Sequence, residues 1–140
     1  MLSSEGVVIV NLELRKASGE VVSRNLYWLG ADSASYRRLN RLPATSLSVA
    51  AKSTRVGETI RVRVELRNTG TTVSLANKLT LLNAADASRI LPAYYSDNYL
   101  SLLPGESREI EIEYPATSGN GPAQLSLRGW NLAKQVVPIP

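Results

Sequence analysis

The chain has 140 residues and a formal net charge of +4; apolar residues make up 44% of it and charged residues 20%. This length accommodates one domain with a core of its own plus a short appendage, and the apolar content excludes extensive disorder. The sequence contains neither histidine nor cysteine, which excludes Ser-His-Asp catalysis, thiol chemistry and the commonest transition-metal sites.

The residue pattern of positions 1–43 predicts a β-hairpin followed by a linker. Val7–Arg15 and residues 21–29 are rich in β-branched and aromatic residues, and residues 18–20 form a turn signal between them. Residues 30–43 are small, polar and basic without a clear period, so we expect a linker or a long connection there.

Residues 44–140 predict an all-β, immunoglobulin-like antiparallel sandwich of about seven strands. Thr59–Asn68 alternates strictly between apolar and polar residues, which is typical of a strand with one face buried and the other in water. Turn signals recur about every 8–12 residues, and no segment shows a helical period. The other predicted extended segments are residues 47–53, 73–83, 89–95, 97–103, 107–114, 123–129 and 136–137.

Two of these strands carry opposite charges on their outward faces. An acidic face repels itself unless a basic strand lies beside it. We therefore predict that Thr59–Asn68 and residues 107–114 are antiparallel neighbours joined by cross-strand ion pairs. The residues concerned are Arg61, Arg63 and Arg67 on one strand and Glu109, Glu111 and Glu113 on the other.

The remaining candidates for chemistry are carboxylates. A glycosidase needs two carboxylates that face one another across a sugar. Asp97 and Glu106 are the pair that lies near turns rather than on an exposed strand face. Asp97 precedes Asn98 and is better explained as a turn former, while Glu106 follows Pro-Gly and begins a strand. The spacing of a calcium loop is absent, and so is a glycine-rich phosphate loop. We expect no catalytic residue, no metal and no cofactor in this chain.

Exposed aromatic rings near loops are candidates for a sugar platform, although in sandwiches such rings more often pack in the core or between domains. Loops at one end of a sandwich are natural contact surfaces. The candidate carbohydrate or interdomain contact residues are Tyr94, Tyr95, Asp97, Asn98, Tyr99 and Trp130.

Four short blocks are SRNLYWL at residues 23–29, YSDNY at 95–99, LLPGE at 102–106 and GWN at 129–131. Together, in this order and spacing, they resemble the C-terminal region of family-2 glycoside hydrolases of the exo-β-D-glucosaminidase and β-mannosidase type. The final block favours the exo-β-D-glucosaminidase branch. The resemblance implies a C-terminal immunoglobulin-like domain, non-catalytic and accessory, within a parent that hydrolyses β-linked glucosamine or mannose at chain ends.

The resemblance also implies partners and a location. The partners are the catalytic (β/α)₈ barrel, which carries the catalytic glutamates, and a neighbouring sandwich domain. A secreted or periplasmic parent is implied, with any export signal upstream of Met1. Residues 1–43 are then either the end of the preceding sandwich or a hairpin packed on the domain formed by residues 44–140.

Two other functions stay open from the residues alone. One is an autonomous carbohydrate-binding module that stacks its aromatic rings on a polysaccharide. The other is a cell-surface immunoglobulin-like domain. The arginines are spread along the strands, and the cluster at Arg37, Arg38 and Arg41 has no aromatic platform beside it. A nucleic acid is therefore not expected as a partner. A membrane is not expected either, because no apolar run approaches the length that spans a bilayer.

Overall fold

The computed structural model describes residues 6–140, which form two compact units, the first ending at Leu42 and the second comprising Pro43–Pro140. The first unit contains an antiparallel hairpin of β1 (Val7–Arg15) and β2 (Val21–Gly30). In the described part of the chain, no helix is long and apolar enough to cross a membrane. The assignment of residues 1–43 and 44–140 to separate parts of a parent protein stays a prediction.

Residues 30–43, predicted to be a linker or a long connection, contain a short helical segment that the sequence pattern did not indicate. A short helix, α1 (Ser33–Arg37), runs directly into a 3₁₀ turn at Arg38–Arg41. Asp32 caps α1, because its carboxylate accepts hydrogen bonds from the Ser35 backbone amide at 2.8 Å and from the Ser35 hydroxyl at 2.9 Å. The helix is too short to show a period in the sequence, so its only signal was this capping residue.

The second unit is a sandwich of two four-stranded antiparallel sheets, which confirms the predicted fold class. Its strands are β3 (Leu47–Val56), β4 (Thr59–Asn68), β5 (Ser74–Asn83), β6 (Tyr94–Tyr95), β7 (Leu100–Leu102), β8 (Ser107–Pro115), β9 (Ala123–Arg128) and β10 (Gln135–Pro138). One sheet has the order β3-β4-β8-β6 and the other β10-β9-β5-β7. The first matches the A-B-E-D order of immunoglobulin-like domains, and β10-β9-β5 of the second matches their G-F-C order, with β7 as an additional edge strand beside β5.

The core lies between the two sheets. Strands β4 and β8 contribute alternate residues from one side, and β5 and β9 do so from the other. The innermost side chains are Val62, Val64, Leu66, Leu79, Leu81, Ile110, Ile112, Leu125 and Leu127. The apolar positions predicted for β4 and β8 are therefore the ones that the sandwich buries.

The predicted pairing between the basic and acidic strands is confirmed for two of the three arginines. β4 and β8 are antiparallel neighbours, with Arg61 directly opposite Glu113. Arg61 lies 2.6 Å from Glu113 and 3.4 Å from Glu111, and the Arg63 guanidinium lies 3.4 Å from Glu109. The prediction is wrong for the third residue, because the register places Arg67 opposite Ser107.

The two extended segments predicted between β5 and β8 are much shorter in the structure. Only Tyr94–Tyr95 and Leu100–Leu102 are strands, and they belong to different sheets. The chain between them, residues 96–99, crosses from one sheet to the other. This crossing contains three of the six candidate contact residues.

Candidate functional site

The structure does not gather the six candidate residues into one site. Tyr94 stands opposite Glu113 in the register, and Tyr95 stands opposite the buried Ile112. Tyr94 therefore lies on the outer face of the first sheet, 68% exposed, while Tyr95 faces inward and packs against the core. Tyr99 lies near Lys78 of β5, on the second sheet.

Tyr95 and Asn98 cover an open edge of β5. Strand β7 pairs with β5 only at its start, and an isolated bridge joins Leu82 to Arg89 near its end. The backbone around Leu79, between these two points, has no neighbouring strand on that side. The Asn98 amide accepts from the Leu79 N–H at 2.8 Å and donates to the Leu79 carbonyl at 3.0 Å. The Tyr95 hydroxyl accepts from the Leu81 N–H at 2.8 Å. These two side chains satisfy backbone groups that a strand would otherwise pair, and burial raises the pKa of Tyr95.

The turn around Asp97 holds Tyr99 in an uncommon backbone conformation. The Asp97 carboxylate accepts from the Asn98 N–H at 2.7 Å, and the Asn98 amide oxygen accepts from the Tyr99 N–H at 2.9 Å. Tyr99 has a φ of 55°, in the left-handed region that residues other than glycine rarely adopt. Despite this constraint its ring is 62% exposed.

Three cations, Lys78, Arg89 and Arg128, lie near Tyr99, and we call these four residues together the basic patch. The Lys78 Nζ lies 5.3 Å from the ring centroid, within cation–π range. A hydrogen bond with Lys78, together with the nearby charges of Lys78, Arg128 and Arg89, lowers the pKa of the Tyr99 phenol. Lys78 and Arg128 are directly opposite in the β5–β9 register, so both side chains share the outer face of the sheet.

A shallow depression of about 130 Å³ lies beside the basic patch. Lys78 and Arg89 line it together with the apolar side chain of Leu91, and Tyr95 and Asn98 also contribute to its wall. This volume admits a side chain or a small anion rather than a row of sugar rings. The depression therefore favours a local contact over a polymer groove.

The residues on either side of Trp130, Gly129 and Asn131, stabilise the sandwich. A Cβ at position 129 would meet the Asn77 Oδ1 at 2.4 Å and the Leu75 carbonyl oxygen at 3.0 Å, so only glycine fits. The Asn131 amide donates to the carbonyls of Pro43 and Val73 at 3.0 and 2.9 Å, and it accepts from the Leu75 N–H. Trp130 itself is 53% exposed, and its backbone N–H bonds the Leu75 carbonyl at 2.8 Å.

Sequence reasoning missed a set of asparagines that fasten the ends of the strands. The Asn68 amide donates to the carbonyls of Thr72 and Leu102, and it accepts from the Gly70 N–H. Asn77 and Asn83 are also buried and bond neighbouring segments. For Asn68 and Asn83, the only sequence signal was an asparagine at the end of an apolar strand, which is equally typical of an ordinary turn residue.

A protein-family model described as the exo-β-D-glucosaminidase Ig-fold domain matches residues 25–132. That match spans most of the chain, including the whole segment that carries the six candidate residues. The chain belongs to this family.

Relatives of this Ig-fold domain are long proteins of which it covers a small part. The exo-β-D-glucosaminidase of Streptomyces avermitilis is 29% identical over 152 residues, which cover 93% of this chain and 17% of that protein. The mannosylglycoprotein endo-β-mannosidase of Lilium longiflorum is 47% identical over 53 residues, or 38% of this chain and 6% of that protein.

The same domain is present in a solved structure. The exo-chitosanase CsxA of Amycolatopsis orientalis superposes with a TM-score of 0.88 at 25% identity, over 98% of this chain and 18% of that one. Both the Streptomyces protein and CsxA match almost the whole of this chain, and the chain spans less than a fifth of the length of each.

Three of the four sequence blocks that resemble this family contain residues that stabilise the sandwich. Asn98 in the second block supports β5, and Gly129 and Asn131 in the fourth block fasten β9 to β5. In the third block, the Glu106 carboxylate accepts from the Leu103 N–H at 2.8 Å, which closes the turn before β8. Much of the resemblance therefore comes from residues that hold the sandwich together.

Proposed function

We propose that this chain is the non-catalytic accessory domain of a family-2 glycoside hydrolase whose (β/α)₈ barrel acts on β-linked glucosamine at chain ends. The observation that carries the proposal is the family match over residues 25–132, combined with relatives that are five to six times longer, since 93% of this chain is 17% of one of them. Mannose is the second candidate sugar, supported by the shorter match to an endo-β-mannosidase.

The domain's role is to support the barrel and a neighbouring sandwich domain. The crossing at residues 96–99, with Tyr94 and Tyr95 before it, is our proposed contact surface, because it is fixed to β5 and has one exposed tyrosine on each sheet, Tyr94 and Tyr99. Amphipathic rings of this kind are enriched where proteins meet. We place the parent outside the cytoplasm, secreted or periplasmic, since a polymeric substrate would be hydrolysed there.

The experiment compares three preparations: this chain, the remainder of the parent protein, and the two mixed. The activity measured is release of glucosamine from glucosamine oligomers. We expect none from this chain alone, little from the remainder, and recovery on mixing because the added domain restores the barrel's support. Activity in this chain alone would contradict the proposal, as would full activity and thermal stability in the remainder alone.

An autonomous carbohydrate-binding module is the second candidate, favoured by the exposed rings of Tyr94, Tyr99 and Trp130. Two observations weigh against it. The rings of Tyr94 and Tyr99 lie on different sheets, and the cations around Tyr99 repel a protonated glucosamine polymer. Titration of glucosamine oligomers into this chain, followed by amide chemical shifts, tests it. Saturable shifts at the three aromatic residues would support the module, and their absence would exclude it.

A cell-surface immunoglobulin-like domain no longer has support. That alternative required the four sequence blocks to be a coincidence, and the family match includes three of them in full.

A further inference from the structure

The basic patch differs from the other charged surface of the sandwich. On the outer face of β4 and β8, arginines stand beside glutamates and are neutralised by them. Among residues 6–140, neither Lys78, Arg89 nor Arg128 forms an ion pair with a carboxylate. One sheet is therefore balanced in charge, and the opposite sheet presents three cations without counter-charges from this part of the chain.

The surroundings of the patch carry little negative charge. Asp97 is the carboxylate on the neighbouring crossing, and its oxygen accepts from the Asn98 N–H of its own turn. In the register, Thr80 lies opposite Ser126, so the next positions along the outer face are uncharged. The three cations consequently create an uncompensated positive potential over this end of the sheet.

The patch is also held in place. Asn98 joins the crossing to β5 through two hydrogen bonds, at 2.8 and 3.0 Å, and fixes Tyr99 in a left-handed conformation beside Lys78. A strained residue kept exposed by its surroundings is a signal of a functional contact. The depression lined by Lys78 and Arg89 has the size of a carboxylate-bearing side chain.

We propose that the basic patch docks an acidic surface of the parent's neighbouring domain, with a carboxylate of that domain entering the depression between Lys78 and Arg89. This inference rests on the proposed function, because it assumes a longer parent chain. Charge complementarity selects the partner: three cations around an exposed aromatic ring attract carboxylates and repel the protonated amines of a glucosamine polymer.

The test measures association between this chain and the remainder of the parent, produced as a separate polypeptide. The variant Lys78→Glu/Arg128→Glu reverses two charges of the patch. Its matched control, Lys52→Glu/Arg67→Glu, makes the same change in net charge on the outer face of the opposite sheet, where Lys52 and Arg67 are both exposed. Far-UV circular dichroism and thermal unfolding establish that both variants fold.

We expect the patch variant to raise the dissociation constant at least about tenfold at low ionic strength, and the control less than about twofold. Raising the salt from about 50 mM to about 500 mM weakens the wild-type complex, because the Debye length shortens and the attraction is screened. The same change does not weaken the patch variant, because in that variant the salt screens a repulsion between like charges. Equal weakening in both variants, or none in either, would overturn the docking proposal.

The outcomes separate this inference from the proposed function. If the wild-type chains do not associate at all, both fail. If they associate in a way that neither charge nor salt affects, the accessory role stands and the basic patch is not its contact. If Lys78→Glu/Arg128→Glu changes binding of glucosamine oligomers and leaves association with the parent intact, the patch is a sugar site and the docking proposal is wrong.

Discussion

Replacement of Asn68 by alanine tests whether the buried asparagines hold the sandwich together. Asn68 is fully buried, and its amide donates to the carbonyls of Thr72 at 2.8 Å and Leu102 at 2.9 Å. Its oxygen accepts from the Gly70 N–H at 3.0 Å and the Thr45 hydroxyl at 3.2 Å. One side chain thus connects the end of β4 to the following loop, to β7 and to the segment before β3.

The expected loss follows from the groups left without partners. An unsatisfied buried polar group costs about 1–3 kcal/mol. The Leu102 carbonyl lies in the buried part of β7, whereas Thr72 and Gly70 lie in a partly exposed loop that water reaches. The buried carbonyl is expected to contribute its full cost, and each loop group only part of it because water replaces the lost hydrogen bond. We therefore expect Asn68→Ala to lower the free energy of unfolding by about 3–5 kcal/mol.

Urea unfolding followed by tryptophan fluorescence measures this loss. All variants carry Trp28→Phe, so that Trp130 reports on the second unit alone. Asn120→Ala is the matched control because its side chain is exposed, and we expect it to change stability by less than about 0.5 kcal/mol. A loss below about 1 kcal/mol for Asn68→Ala would show that the hydrogen bonds of Asn68 do not hold the sandwich together, since an average substitution costs that much.

Asn68→Asp separates lost hydrogen bonds from lost volume. Aspartate keeps the size of asparagine, but its ionised carboxylate repels the two carbonyl oxygens that the amide had bonded. Burial raises the folded-state pKa of such a carboxyl above its unfolded value, so stability increases as the pH falls through the folded-state pKa. If Asn68→Asp is as stable as the wild type at neutral pH, volume is the important property and the hydrogen bonds are not.

Three further predictions follow from other parts of the chain. Gly129→Ala should destabilise the second unit by about 1–3 kcal/mol, because its Cβ would overlap neighbouring atoms; Gly119→Ala, whose Cβ meets only ordinary contacts, should be near neutral by the same urea assay. The Ser35 hydrogen bond lowers the pKa of Asp32, so carboxyl NMR should show a depressed titration, with the helix cap lost as the pH falls through it; a titration at the ordinary pKa would contradict the cap. Lys78→Met should raise the pKa of Tyr99 in a phenol absorbance titration, and an unchanged value would place Lys78 away from the ring.

The alternation of apolar and charged residues predicted the strands, their buried faces and one neighbouring pair correctly. Glutamate partners for Arg61 and Arg63 could be predicted from sequence because charge and period act locally along each strand, although the individual pairs could not. The residue opposite Arg67 could not be predicted, because register depends on where each strand begins, and the turn before β8 placed Ser107 there. A shift of two residues preserves the buried face of a strand but changes every outward partner.

The candidate contact residues were chosen by type and by their position near turns, and the sequence alone could not separate them further. Tyr94 and Tyr95 are adjacent and chemically identical, yet one is exposed and the other bonds β5. The difference arises because successive side chains in a strand point to opposite faces, and because only the inward one meets an unpaired strand edge.

The fold class could be predicted from local patterns, namely a period of two along β4 and β8 and recurrent turns, and the absence of histidine and cysteine excludes chemistry based on those two residues. The roles of individual residues depend on how the strands pack. The tertiary structure brought Lys78 opposite Arg128 and beside Tyr99, and it placed Asn68 and Asn131 between segments distant in the sequence. Both results depend on strand order and register, which arise from long-range packing and which local sequence patterns do not encode.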